Sequence, residues 1–284
     1  MRNPRARRES RDRSSRSGGV EGVLEIVRLL MGTLWLRPYV FVFLAAFLLV
    51  ALAEIGPRRT LVWGLAGYSV AFLCEYSSTR NGFPFGLYHY HEAATRGREL
   101  WIANVPFMDS LSFVFLSFVS WATAERLLGH PPDPVGRIRG SAASLGLGAL
   151  LMVAIDLLCD PVSLRGDRWF LGDLYHYAEP GAFFGVPLSN FLGWGFVAAA
   201  ILALLMTLER VGWLGGAPRY RLPAPMLSAP AFWAGIVLFN VGLAFWVGLP
   251  ALGWLGLGFV GAVGVALAVR PASGVEQPGL EQAG

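Results

Sequence analysis

Seven mostly apolar runs, at roughly 38–55, 60–76, 104–124, 141–160, 185–208, 229–248 and 250–269, govern what this chain can become. Each is long enough, or nearly so, to cross a hydrocarbon core of about 30 Å as a helix. With 55% hydrophobic and 15% charged residues, the composition is that of an integral membrane protein. The segment 20–36 carries Glu21, Glu25 and Arg28 on an otherwise apolar stretch and reads as an interfacial helix first, an eighth span second. The expected fold is an all-α polytopic membrane protein with about seven transmembrane helices, or eight if that segment crosses. Residues 1–19 read as a disordered Arg-rich tail, 20–37 as the interfacial helix or extra span, 38–270 as the transmembrane domain, and 271–284 as a disordered tail.

All 23 basic residues are Arg, and seven of them fall between Arg2 and Arg16. That tail lacks a continuous apolar core, so it does not read as a signal peptide. Next to a membrane domain it fits attraction to anionic lipid better than nucleic-acid binding. Cys74 and Cys159 are the two cysteines, and they read as small apolar residues near helix ends rather than as a bridge or a zinc site.

One message is written twice, about 85 residues apart. The first copy is Cys74-Glu75-Tyr76-Ser77-Ser78, then Tyr88-His89-Tyr90, then Val105-Pro106-Phe107-Met108-Asp109. The second is Cys159-Asp160-Pro161-Val162-Ser163, then Tyr175-His176-Tyr177, then Val186-Pro187-Leu188-Ser189-Asn190. Two spans separate the copies, so both polar loops lie on one side of the membrane. This is a parallel internal duplication, with a site expected between the halves. Orientation pulls two ways. The repeat loops hold five Arg and the opposite loops eight, while seven spans with the Arg-rich tail inside would put the repeat loops inside as well. An eighth span at 20–36 reconciles them.

Ionisable residues are costly beside lipid, so a repeated set at helix ends suggests a site. Glu75 and Asp160 lead as acid–base candidates, because a carboxyl group withdrawn from water can keep a proton to donate. The bland alternative pairs them with loop arginines such as Arg80 and Arg165. Asp109 and Asn190 open the following spans at matching depth, so four side chains from four helices are expected to converge. Asp156 and Asp160 lie one turn apart on one face, a spacing that can hold Mg²⁺ on a diphosphate. No second acidic motif accompanies them, and a buried polar pair lining the pocket is the better reading. His89, His91 and His176 are too few and wrongly spaced for a di-iron site. His89 and His176 read instead as hydrogen-bond partners of the carboxylates or as part of the interfacial belt. Tyr88, Tyr175, Phe184 and Trp194 belong to a crowd of aromatics that can line a channel for a long apolar substrate. Their faces can also stabilise a carbocation by about 0.5–2 kcal/mol each.

At these residues the chain resembles the CruF-type carotenoid biosynthesis proteins. The resemblance rests on Glu75…Gly82-Phe83-Pro84-Phe85-Gly86-Leu87-Tyr88-His89-Tyr90 with Val105-Pro106. It continues in Asp156…Asp160-Pro161…Phe184-Gly185-Val186-Pro187-Leu188-Ser189-Asn190-Phe191-Leu192-Gly193-Trp194. It spans about residues 38–265, and Ala182 departs from the more aromatic stretch expected before Gly-Val-Pro. The resemblance implies a carotenoid 1′,2′-hydratase in the bacterial inner membrane, acting on an acyclic substrate such as lycopene or γ-carotene. Such a reaction needs no cofactor and no metal. The rival class is a transporter or a carotenoid-binding protein without chemistry.

Overall fold

The computed structural model describes residues 4–215 and 228–269, with side chains from residue 19 onward except Val20. The expected tail at 271–284 lies outside the described residues. Helices α1 (Pro4–Leu36), α2 (Pro38–Glu54) and α3 (Gly56–Asn81) come first. A loop with short elements follows: β1 (Tyr88–Tyr90), α4 (Glu92–Thr95), β2 (Trp101–Ile102) and β3 (Val105–Pro106). Then come α5 (Phe107–Leu127), α6 (Ala142–Ser163), β4 (Tyr175–Tyr177), α7 (Leu188–Arg210), α8 (Ala229–Trp246) and α9 (Pro250–Ala268).

The chain is mostly helical and reads as a membrane protein. Five helices (α5, α6, α7, α8 and α9) are long and apolar enough to cross a bilayer, or six spans if α1 and α2 together make a bent one. That is fewer than the seven runs the sequence suggests. Helix α2 has 17 residues, and α3 is long enough but diluted by Gly64, Gly67, Tyr68, Ser69 and Glu75. The fold is all-α as expected, with two small antiparallel pairs, β1–β4 and β2–β3, built into the loops. Extended segments at a helix-bundle rim must place their amides somewhere, and pairing with each other satisfies them. The first helix also starts at Pro4, well ahead of the position near residue 20 expected from the apolar pattern.

Helix α5 is the axis of the bundle. Within its membrane-length window 78% of residues are buried, against 17% for the peripheral α9. One of its inward polar residues finds a partner in a neighbouring helix: the Trp63 indole N–H donates to Ser117 Oγ at 3.0 Å. Helices α2, α3, α6 and α8 all pack against α5, and α7 packs against α6 and α3. Gly67 lets α3 lie close to the Val114 backbone, where a Cβ would meet Val114 Cα at 3.3 Å.

The chain turns by 93° between the end of α1 and α2. Pro38 causes the break, since its ring nitrogen has no hydrogen to continue the helical ladder and it disfavours helical geometry in the preceding residue. Arg37, at the corner, is 1% exposed. Its guanidinium donates to both oxygens of Glu99, at 3.2 and 3.3 Å, and to the Leu171 carbonyl. Glu99 belongs to the first repeat loop and Leu171 to the second, so one cation ties the helix corner to both. Thr33 supports the same corner by accepting from the Leu100 amide at 2.8 Å.

A buried pair broken from one side leaves an uncompensated charge, at a cost of about 3–5 kcal/mol. Arg37→Met is therefore expected to lower the melting temperature of the detergent-solubilised protein sharply. Adding Glu99→Leu should recover most of the loss. A double variant as unstable as the single one would show that the pair is not what holds the corner.

Candidate active site

The two Tyr-His-Tyr segments meet. Strands β1 and β4 pair antiparallel in the register Tyr88↔Tyr177, His89↔His176, Tyr90↔Tyr175, so the histidines lie at the centre of the pairing. Side chains alternate between the faces of a strand. All four tyrosines therefore turn inward, and His89 and His176 turn out and are exposed. The rings of Tyr88, Tyr90, Tyr175 and Tyr177 form a closed group with centroids 5.3–6.2 Å apart.

Beneath this tyrosine roof lies a cavity of about 120 Å³, open rather than sealed. A water needs about 10–15 Å³ of such space, so there is room for several waters or for a small hydrocarbon group. Glu75 from α3, Asp109 from α5, Asp160 from α6 and Asn190 from α7 all line it, together with Tyr88, Tyr175 and Trp194. The expected convergence of four helix-end side chains is thus present.

Their partners differ. Asp160 accepts from the Tyr175 hydroxyl at 2.9 Å on one oxygen and from the Tyr177 hydroxyl at 2.6 Å on the other. Asp109 is within hydrogen-bonding reach of Tyr90. Glu75 accepts from the Ser110 hydroxyl, its one side-chain partner among the described residues. Burial first, and the neighbouring carboxylates second, push the Tyr88 and Tyr175 phenols above the ordinary tyrosine value. Burial does the same for Tyr90 and Tyr177, so the four remain hydroxyl donors.

Asp156 does not line the cavity. It is fully buried behind it and accepts from Asn190 Nδ2 at 2.7 Å, while its Oδ1 has no hydrogen-bond partner among the described residues. Through Asn190 it orients a cavity group without touching the cavity itself. The arginine alternative for the carboxylates does not occur. Arg80 donates to the Tyr76 carbonyl and to Asn104, and Arg165 to the Pro161 and Phe184 carbonyls. No group of three or more His, Cys, Asp or Glu is placed to hold a metal among the described residues.

Three expected contacts with substrate fall outside the cavity. His89 and His176 face away from it, and His176 hydrogen-bonds His91 at 3.1 Å instead. Phe184 adopts a left-handed backbone conformation (φ 53°) and lies at a second, outer opening of about 390 Å³. That opening is edged by Arg165, Arg168 and Asp173, and it shares Tyr175 and Tyr177 with the inner cavity. The two tyrosines are thus the wall between a polar vestibule and the carboxylates.

A family model described as carotenoid biosynthesis protein matches residues 36–262. The chain belongs to the carotenoid biosynthesis protein family. Comparisons with curated proteins and with solved structures give no match. Aromatic rings make up much of the cavity wall. Trp194 stacks on Phe113 at 4.5 Å, and Phe85 adds a third ring at 5.9 Å from Phe113.

In this carotenoid biosynthesis protein Ser110 and Asn240 were not among the expected site residues, and Tyr90 and Tyr177 were expected only as members of the motif and its aromatic crowd. Tyr90 and Tyr177 complete the roof, Ser110 holds Glu75, and Asn240 brings an amide from α8 to the cavity. Period-2 alternation in Tyr-His-Tyr was the missed signal, since it sets both tyrosines opposite the histidine. Asn240, a lone amide in an apolar span, was the other.

The Phe83-Pro84-Phe85 turn reaches the cavity because α7 lets it in. A Cβ on Gly193 would lie 2.7 Å from Phe85 Cδ1 and 2.7 Å from the Pro84 carbonyl oxygen. Gly193→Ala should therefore displace this turn and cost about 1–3 kcal/mol through overpacking. Thermal unfolding of the purified variant, compared with Gly195→Ala, tests it. A Cβ at Gly195 meets its nearest neighbour, Val153 Cγ2, only at 3.6 Å. Equal stability of the two would contradict the packing described.

Proposed function

We propose that this protein is a carotenoid 1′,2′-hydratase, adding water across the terminal double bond of an acyclic end group as found in lycopene or γ-carotene. The observation that carries the reading is the cavity's composition: three carboxyl side chains, Glu75, Asp109 and Asp160, among aromatic rings and under hydroxyl donors. Acid–base hydration needs a proton donor, a water-binding base and a way to shelter a cation. Each has a counterpart here.

In the proposed reaction Glu75 gives a proton to C2′, and the double-bond electron pair forms the new C–H bond. The tertiary cation left at C1′ lies against Trp194 and the tyrosine roof. A water held by Asp160, with Asp109 and Asn190 beside it, bonds to C1′ and gives up one proton to the Asp160 carboxylate. The net change is addition of one water, and proton return from Asp160 to Glu75 through solvent completes the cycle. Glu75 suits the donor role because, among the described residues, Ser110 alone hydrogen-bonds its side chain, whereas both Asp160 oxygens already accept phenolic hydroxyls. No cofactor takes part in this scheme.

The same reading takes the fold as seven spans, with α2 and α3 crossing as the first two, in a parallel duplication that relates α3 and α5 to α6 and α7. It places the protein in the bacterial inner membrane. Helix α1 then lies in the interface at the level of the repeat loops, with Val23, Leu24, Val27 and Met31 exposed for lipid.

Expression in a bacterium that accumulates lycopene, with pigments resolved by liquid chromatography and mass spectrometry, tests the proposal. A more polar pigment heavier by one water is expected. Glu75→Gln and Asp160→Asn should each lower its yield by about 100-fold or more, the scale of a lost general acid or base. Tyr177→Phe should lower it roughly tenfold, the scale of a lost hydrogen bond to a charged group. Full hydration by both carboxyl variants, present in the membrane at normal levels, would sink the mechanism. Unchanged pigments with the unaltered protein, across lycopene and γ-carotene, would favour carotenoid binding or transport instead.

A further inference from the structure

An acyclic carotenoid is far longer than a cavity of about 120 Å³ can enclose. If its end group lies beside Glu75 and Asp160, most of the polyene must leave through a wall. We propose that the seam between α2 and α8 is a lateral door through which the polyene tail lies out into the bilayer. The inference rests on the carotenoid reading of the cavity.

The seam differs in build from the other walls. Helices α2 and α8 each pack closely on α5 but touch one another little. Aromatic side chains bridge the gap between them. Tyr39 and Phe43 of α2 line the cavity, as do Ile236, Phe239 and Asn240 of α8. Tyr39 stacks on Phe239 at 5.5 Å, Phe43 meets Phe239 edge-on at 5.4 Å, and Phe43 lies 6.2 Å from Phe232. Phe115 of α5, 5.7 Å from Phe43, forms the floor.

The rings of Tyr39, Phe43, Phe232 and Phe239 are only half-buried, and adjoining positions face outward, with Val42 64% and Leu238 45% exposed. Helix backbones that were interlocked would have to separate to admit a chain. Rings that fill a gap need only change rotamer, which is faster and cheaper. Flat aromatic faces also suit a flat conjugated chain, since offset stacking adds to the area buried. Among the described residues, the aromatic pair beside α7 does not reach the cavity in this way. Phe83 and Phe196 meet at 5.3 Å there, yet neither lines the cavity.

Asn240 sits at the inner edge of the door. Its Nδ2 donates to the Ile236 carbonyl of its own helix at 3.0 Å, which turns the side-chain oxygen toward other partners. It marks where the apolar seam ends and the polar cavity begins.

The test is photo-crosslinking in membranes of a lycopene-accumulating host, with p-benzoylphenylalanine placed at Phe239, at Phe43 or, as control, at Phe196. A carotenoid-mass adduct is expected at Phe239 and Phe43 and not at Phe196. That adduct does not require hydration. Its presence without any hydrated pigment would uphold the door and overturn the hydratase reading. Hydrated pigment without an adduct at Phe239 or Phe43, or with an equal adduct at Phe196, would overturn the door and leave the hydratase reading standing.

Discussion

The pairing of β1 with β4 is the constraint on which the site depends. Each Tyr-His-Tyr segment is too short to hold a shape alone, and each belongs to a different half of the chain. Once paired, with His89 opposite His176, strand alternation commits four phenols to the inner face. Two of them then satisfy both oxygens of Asp160, which would otherwise be an expensive group to bury. The roof and the carboxylate stabilise each other's position, and neither arrangement follows from one half by itself.

The Arg37–Glu99 pair supports that roof from the side. A buried ion pair contributes little net stability relative to apolar packing, but it fixes geometry, because each partner is costly to leave alone. Here Arg37 reaches Glu99 in one loop and Leu171 in the other, so the loops that carry β1 and β4 share one anchor. Pro38 makes this possible by breaking the helix at the residue that must turn inward. Beside this anchor, at the repeat-loop end of the bundle, sit the cavity, the vestibule and the α2–α8 seam.

Much of this was legible beforehand. The apolar runs located the helices that α2, α3 and α5 to α9 occupy, and the repeated motif brought Glu75, Asp109, Asp160 and Asn190 to one cavity. Other parts were not legible. His89 and His176 looked like partners for the carboxylates, because their neighbours in sequence are the residues that face inward. Phe184 looked like a wall residue, yet the turn around Gly185 sends it to the outer opening. Arg80 and Arg165 looked like counter-ions, but backbone carbonyls at the helix ends occupy them.

Sequence alone determined the class of protein, the places where polar groups interrupt apolar helices, and the recurrence of Tyr-His-Tyr. These are properties of composition and spacing, and a bilayer leaves few alternatives to helices at those runs. Tertiary structure decided which side of each loop faces the carboxylates, what Asp160 and Glu75 accept from, and where the cavity opens. Those outcomes turn on strand register, one buried cation and the gap between two helices that are distant in the chain. Contacts between such distant segments have no local signature, so they are settled only when the helices pack.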